Sequence, residues 1–179
     1  RGQAGPQQRR KLALTLEILA ENAACYGHCR SASEEEGADL PRRSGWMVDP
    51  FAIADEAAAE CIALWSEIGD REKLADAWAA SAAVDFYTGK RYSSSMAKLR
   101  RAVAICTEAR GRVHPTCALA LFNMAYINHL VFRDVDEAVR LFTESLEIRR
   151  VVLGPEHPFT AATAEELAHC LLVRDGLGG

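Results

Sequence analysis

Three groups of side chains in this sequence carry residue types that could do chemistry. Cys25-Tyr26-Gly27-His28-Cys29 gathers two thiols and an imidazole, the ligand types of zinc. A closed zinc site needs a fourth ligand and usually a second closely spaced pair. Neither lies nearby, so Cys61 or another histidine would have to be recruited by folding. A helix end packed by Cys25 and capped near Gly27 accounts for the same letters. His114 and His157 could act as general acids or bases, but each precedes a proline, and a residue before proline is biased to extended backbone. They read as structural punctuation. Phe122, Tyr126 and His129 are three and four residues apart and share one helix face. Aromatic side chains so placed either anchor a partner or fill a core. The chain has no Gly-x-Ser-x-Gly elbow, no His-Glu-x-x-His and no glycine-rich loop following a strand. No catalytic residue, metal or cofactor is expected, and the chain does not read as an enzyme.

The elements that must position these residues are helices. Of 179 residues, 49% are hydrophobic, 7% are aromatic and 31 are alanine, a balance that favours helices packed through small side chains over any sheet. The length suits one domain with a sizeable core. No run approaches the ~20 apolar residues of a membrane span, and Arg1-Gly2-Gln3-Ala4-Gly5-Pro6 lacks the apolar core of a signal peptide. A soluble chain is expected, not embedded in a membrane. It begins without Met, as a processed protein or an excised fragment would. A formal charge of −4, with basic residues scattered as Arg9-Arg10-Lys11, Lys98 with Arg100-Arg101, and Arg149-Arg150, argues against nucleic acid as a partner. Cysteines 25, 29, 61, 106, 117 and 170 sit mostly in apolar helical runs. They read as buried thiols of a cytoplasmic or other reducing compartment, an organelle reached after removal of a targeting segment included.

Self-similarity at a spacing of 43 residues organises the chain. His114-Pro115 recurs as His157-Pro158, Ala75 falls on Ala118 and Ala161, Ala82 on Ala125 and Ala168, Leu99 on Phe142, and Ile105 on Ile148. One step earlier, Ala59 and Ile62 fall on Ala102 and Ile105. Leu12, Ala13, Leu16, Ala20 and Gly27 match Leu74, Ala75, Trp78, Ala82 and Gly89 at a spacing of 62, so an insertion of 19 residues lies between Gly27 and about Pro50.

Each unit reads as two helices, because apolar residues recur at three and four on either side of a short polar turn. In the clearest unit, Ala118, Leu121, Met124, Ala125 and Ile127 form one stripe, Arg133-Asp134-Val135-Asp136 the turn, and Ala138, Leu141, Phe142, Ser145, Leu146 and Ile148 the second stripe. Pro115 and Pro158 suit a first helical turn, and Gly111 and Gly154 the preceding helix end. One hairpin cannot bury its own apolar face, so the fold class expected is an all-α solenoid of stacked hairpins. The expected layout is a single domain over 1–179: a first hairpin at 8–68 with an inserted loop at 28–50, a second at 72–113, a third at 115–153, and a terminal helix at 158–174.

The segment from Glu137-Ala138-Val139-Arg140-Leu141-Phe142 through Ser145-Leu146-Glu147-Ile148-Arg149-Arg150 to Leu153-Gly154-Pro155-Glu156-His157-Pro158 resembles the long tetratricopeptide repeat of kinesin light chains. The resemblance covers 116–160 most fully, 74–115 in part and 8–68 least. HEAT or armadillo repeats share the period, but the Gly89-Lys90 turn, Trp78 and the His-Pro joins fit tetratricopeptide hairpins better. Two departures stand out. Asp85 and Asn128 occupy the slot where the family has a tyrosine, and the distance from Ala125 to Ala138 is one residue longer than the pattern, which predicts a distorted turn.

What the resemblance implies is a concave face, lined by the first helix of each hairpin, that holds a peptide or helix of another protein. Carried across, the exposed concave positions are Asp76, Ala79, Ala80, Ala83, Phe86 and Tyr87, then Leu119, Phe122, Asn123, Tyr126, His129 and Leu130, then Glu165, Glu166, His169 and Leu172. Asn123 matches the family's asparagine before the apolar-Ala pair. Its amide can donate to and accept from a peptide backbone together, although a solvated surface Asn explains it equally. Asp76, Glu165 and Glu166 suit a basic or apolar ligand. In the insertion, Trp46-Met47-Val48 is an anchor sequence that either tucks onto its own solenoid or contacts a partner. The function expected is a protein interaction module. The alternatives are an accessory subunit of a large assembly, using the loop and the C-terminal edge, or the regulatory repeat domain of a larger protein.

Overall fold

The computed structural model describes residues 5, 7–16, 18, 50–89 and 91–176. Every regular element among them is a helix. They are α1 over residues 7–16, α2 (Pro50–Ile68), α3 (Arg71–Tyr87), α4 (Tyr92–Arg110), α5 (Pro115–Ile127), α6 (Val135–Val152) and α7 (Pro158–Arg174), with a π-helical segment (Asn128–Phe132) continuing α5. The fold is all-α, of the helical-repeat type that the alanine-rich stripes require. The described residues fall into two compact units, Arg1–Ser95 and Met96–Gly179, the division lying within α4.

In the first unit, Ala54, Ala57, Ala58, Cys61 and Trp65 recur at helical spacing along α2 and are buried. Ala54, Ala57 and Ala58 pack with Val84 of α3, and Cys61 and Trp65 pack with Ala77 of α3 and Ala13 of α1. The small side chains let the helices approach closely enough for the Cys61 thiol to donate to the Ala13 carbonyl at 3.4 Å. A bulkier residue at Ala57 would force them apart at a cost of about 1–3 kcal/mol. Asp70 caps α3 by accepting from the Lys73 N–H at 3.2 Å. Asp85, in the slot that a tyrosine holds in the family, is wholly buried, and its carboxyl group is met by polar neighbours. Ser94 Oγ donates to its Oδ2 at 2.5 Å, and Arg91 Nε lies 3.3 Å from its Oδ1 while Arg91 Nη2 pairs with Asp55 at 2.7 Å.

The second unit is built on the α5–α6 hairpin followed by α7. Ala118, Leu121 and Ala125 of α5 and Ala138, Leu141, Phe142, Leu146 and Ile148 of α6 are buried, and the Ser145 hydroxyl donates to the Ala118 carbonyl at 2.7 Å. The two His-Pro joins are helix caps. His114 Nδ1 accepts from the Thr116 N–H at 3.3 Å, His157 Nδ1 accepts from the Phe159 N–H at 3.2 Å, and each proline takes the first helical position, where a missing N–H costs nothing. Gly111 and Gly154 end the preceding helices at φ +84° and +94°, which a side chain would resist.

The extra residue between Ala125 and Ala138 is absorbed by backbone rather than by a longer loop. A π-turn accommodates one residue more than an α-turn, and Asn128–Phe132 is such a stretch. Asn128 supports it from within, its amide donating to the Met124 carbonyl at 2.9 Å. Arg133 then reverses the chain at φ +58°, and the Asp134 N–H returns to the Asn128 carbonyl at 3.0 Å. The turn is accordingly shorter than the expected Arg133-Asp134-Val135-Asp136. Asp134 is already the N-cap of α6, accepting from the Glu137 N–H at 3.1 Å, and Val135 and Asp136 lie in its first turn.

Pro115–Phe132 forms an apolar run of 18 residues with mean hydropathy 1.2, longer than composition had led us to expect. Half of that run is buried in the protein, as a core helix requires. Cys61, Cys106, Cys117 and Cys170 are free, buried thiols, and among the described residues no group of three His, Cys, Asp or Glu side chains is arranged to hold a metal. Cys25, His28, Cys29, Trp46 and Met47 lie outside the described residues, as does the rest of the inserted loop up to 49.

Candidate partner-binding site

The expected site residues separate into two groups, one in each unit. In the first, Asp76 is half-buried and bound to Lys73, whose Nζ lies 3.0 Å from Oδ2. Phe86 and Tyr87, also half-buried, meet edge to face at 5.6 Å, and Phe86 meets Tyr92 likewise at 5.8 Å. Ala79 and Ala80, expected to be exposed, are 6% and 8% exposed. Their methyl groups serve helix packing.

In the second unit the structure brings more together. Phe122 and Tyr126, one turn apart on α5, are stacked at 6.2 Å with their planes 16° apart, and Phe122 also meets Phe142 of α6 edge-on at 5.3 Å. Phe122 therefore has a half-buried ring that both closes the hairpin and faces outward. Asn123 is half-buried beside it, and Leu119 is exposed one turn earlier. From α7, Glu166 is half-buried and His169 exposed.

His129 departs from expectation. Expected on the exposed concave face, it is only 4% exposed, because it lies four residues after the buried Ala125 on the same side of the helix. There its ring stands edge-on to His169 at 5.2 Å, and Nδ1 is sealed from solvent without a hydrogen-bond partner among the described residues. Burial above all, and then the neighbouring His169, hold its pKa below the ordinary histidine value, against the opposing pull of Glu166. The Cys170 thiol, one residue on from His169, is pushed upward by burial and by Glu166. Thiolate chemistry there is disfavoured.

Sequence reasoning missed Arg149, which it counted among scattered basic residues. The side chain is 5% exposed at the end of α6, with its guanidinium 4.6 Å from the Phe122 ring centroid and 5.7 Å from that of Phe159. Nη1 donates to the Phe159 carbonyl at 2.8 Å and to the Thr163 hydroxyl at 2.6 Å, pinning the first turn of α7 to α6. Burial lowers its pKa. The signal was present in the repeat register: Arg149 follows Phe142 and Ser145 at helical spacing on the core face, and falls on Cys106 one repeat earlier.

A family comparison also marks the α5–α6 hairpin and the helix that follows it. Residues 117–176 match the tetratricopeptide repeat. The match covers about a third of the chain and spans α5 through α7, the elements that carry Leu119, Phe122, Asn123, Tyr126, His129, Glu166 and His169. No curated protein matches the chain. Tetratricopeptide repeats are in general protein interaction modules, and this stretch has the helix-pair geometry that such modules use.

Proposed function

We propose that the chain is a non-enzymatic protein interaction module of the kinesin light chain-like repeat class, acting as a scaffold or adaptor, and that α5 and α7 of the second unit line a concave face for a peptide or helix of a partner. The observation that carries this reading is the Phe122–Tyr126 stack beside Asn123, with His169 of α7 against His129, inside the segment that matches the tetratricopeptide repeat. Rings already ordered against their own helix lose little entropy on binding, and an amide beside them can fix the register of an extended backbone. Partners are proteins, not nucleic acid or lipid, and the four buried free thiols favour a reducing compartment such as the cytoplasm.

Panning a displayed library of random 12-residue peptides on the chain tests the proposal. Selected peptides should lose at least tenfold in affinity on Asn123→Ala and on Tyr126→Ala, two substitutions that leave the buried stripe intact. Peptides indifferent to both would place binding elsewhere.

A second reading, an accessory subunit of a larger assembly, is favoured by one observation. Ala118 and Ala125 are buried, whereas Ala161 and Ala168, their equivalents one repeat later, are exposed on α7. In that reading another subunit covers α7, and Ala168→Arg would release the chain from the assembly while leaving peptide binding unchanged.

A further inference from the structure

His129 is a titratable group that the proposed function does not use, placed where it is hard to charge. It sits in the π-segment, its ring edge-on to His169 at 5.2 Å, its Nδ1 sealed without an acceptor among the described residues. Whichever nitrogen carries the proton in the neutral ring, an imidazolium adds a buried N–H and a full charge, and burying either without a partner is costly. The charged and titratable groups around it are few. From α7 come His169, which repels a second cation, and Glu166, which attracts it; from the turn after the π-segment comes Arg133, which repels it. α6 also packs against the π-segment but contributes no charged group that acts on His129 among the described residues. Two basic groups thus outnumber one carboxylate.

We propose that His129 and His169 form a proton-operated latch between the π-segment and the C-terminal half of α7, closed while His129 is neutral and released in mildly acidic conditions. This rests on the reading of the α5–α7 face as the binding face, and assigns its regulation: release moves Glu166 and His169 of α7 away from His129, alters that face and lowers affinity. The two groups that act on His129 from α7 lie on successive turns, so a shift of that half-helix moves both together.

Hydrogen exchange at pH 7.5 and pH 5.5, corrected for the intrinsic pH dependence of exchange, tests the latch on the whole chain. Residues 164–174 should exchange at least tenfold faster at pH 5.5, residues 138–148 should not change, and the step should vanish in His129→Phe, which keeps an apolar ring but takes no proton. His169→Gln, at an exposed position, should fold normally and reduce the step to about threefold, since a neutral neighbour removes one of the two repelling groups. Equal exchange at both pH values, or a step that survives in His129→Phe, would overturn the latch. The peptides selected by panning give the separate readout. Binding at pH 7.5 that persists undiminished at pH 5.5 would overturn the regulatory claim alone, whereas an exchange step with no peptide binding at either pH would overturn the binding face and the regulation with it.

Discussion

Arg91 and Arg149 house the same guanidinium in opposite ways. In the first unit Arg91 is divided between two carboxylates, Asp55 and the wholly buried Asp85, and Ser94 completes the set. In the second, Arg149 has no carboxylate among the described residues and is held by two aromatic faces, a carbonyl and a hydroxyl. The difference follows from what each side chain must do. Asp85 is a carboxyl group in a core slot, where a guanidinium and a hydroxyl meet it, while Arg149 is a long side chain whose stem fills the interface of α6 with α7 and whose head is tolerated by rings and dipoles. The same contrast recurs at the departures from the tyrosine slot. Asp85 is matched by neighbouring side chains, whereas Asn128 is accommodated by a change of helix type.

The sharpest way to break this comparison is to remove the acid. Asp85→Ala strips the Ser94 hydroxyl of its acceptor and leaves Arg91 with Asp55 alone. Because Arg91 is partly solvated, the expected loss is about 2–3 kcal/mol in denaturant unfolding rather than the larger cost of a fully stranded charge. By contrast, Arg149→Met, which keeps the stem and deletes a charge that has no counter-ion, should change stability by no more than about 1 kcal/mol. A loss as large as that of Asp85→Ala would show that the rings and the two acceptors hold Arg149 as firmly as an ion pair. Arg133 sharpens the backbone half of the contrast. A non-glycine residue at φ +58° is strained, so Arg133→Gly should raise stability by about 0.5–1 kcal/mol in the same assay; a decrease would mean that the side chain supports the π-segment.

The smallest effect is an acid limb. The Arg112 guanidinium bonded to Glu144, and that of Arg140 bonded to Glu137, hold both carboxyls below the usual carboxylate range. A carboxyl whose folded pKa lies below its unfolded value stabilises above about pH 4.3 and loses that contribution as the pH falls toward the folded value. Glu137→Gln with Glu144→Gln should therefore flatten the fall in melting temperature between about pH 5 and 3, with little change at pH 7. An unaltered acid limb would mean that these partly exposed pairs contribute nothing.

Much of this was legible in the residues. Period 43 and the alanine stripes fixed the all-α repeat class, and the His-Pro joins read as punctuation because proline has a defined use at a helix start, whereas the capping by the imidazoles themselves was not read from the residues. The surplus residue between Ala125 and Ala138 announced a distortion but not its form, since a loop and a π-turn absorb one residue equally well on paper. His129 was misplaced for a different reason: it was set among the exposed positions by the resemblance, although it follows the buried Ala125 by four residues on the core side of the helix. Arg149 was hidden by its own chemistry, because a charged letter next to Arg150 reads as surface until the repeat register sets it on the core face. The repeat register thus gave the positions of the candidate residues along α5 and α7, but not the contacts that those residues make.

The account stands or falls on whether the α5–α7 face is where a partner binds. Backbone amide shifts of the isotopically labelled chain, followed as the tightest of the selected peptides is added at pH 7.5, address this directly. The account predicts that the largest shifts fall at residues 119–129 and 163–169. Shifts confined to the outer face of α6, around Arg140 and Glu144, or to the first unit, would contradict it.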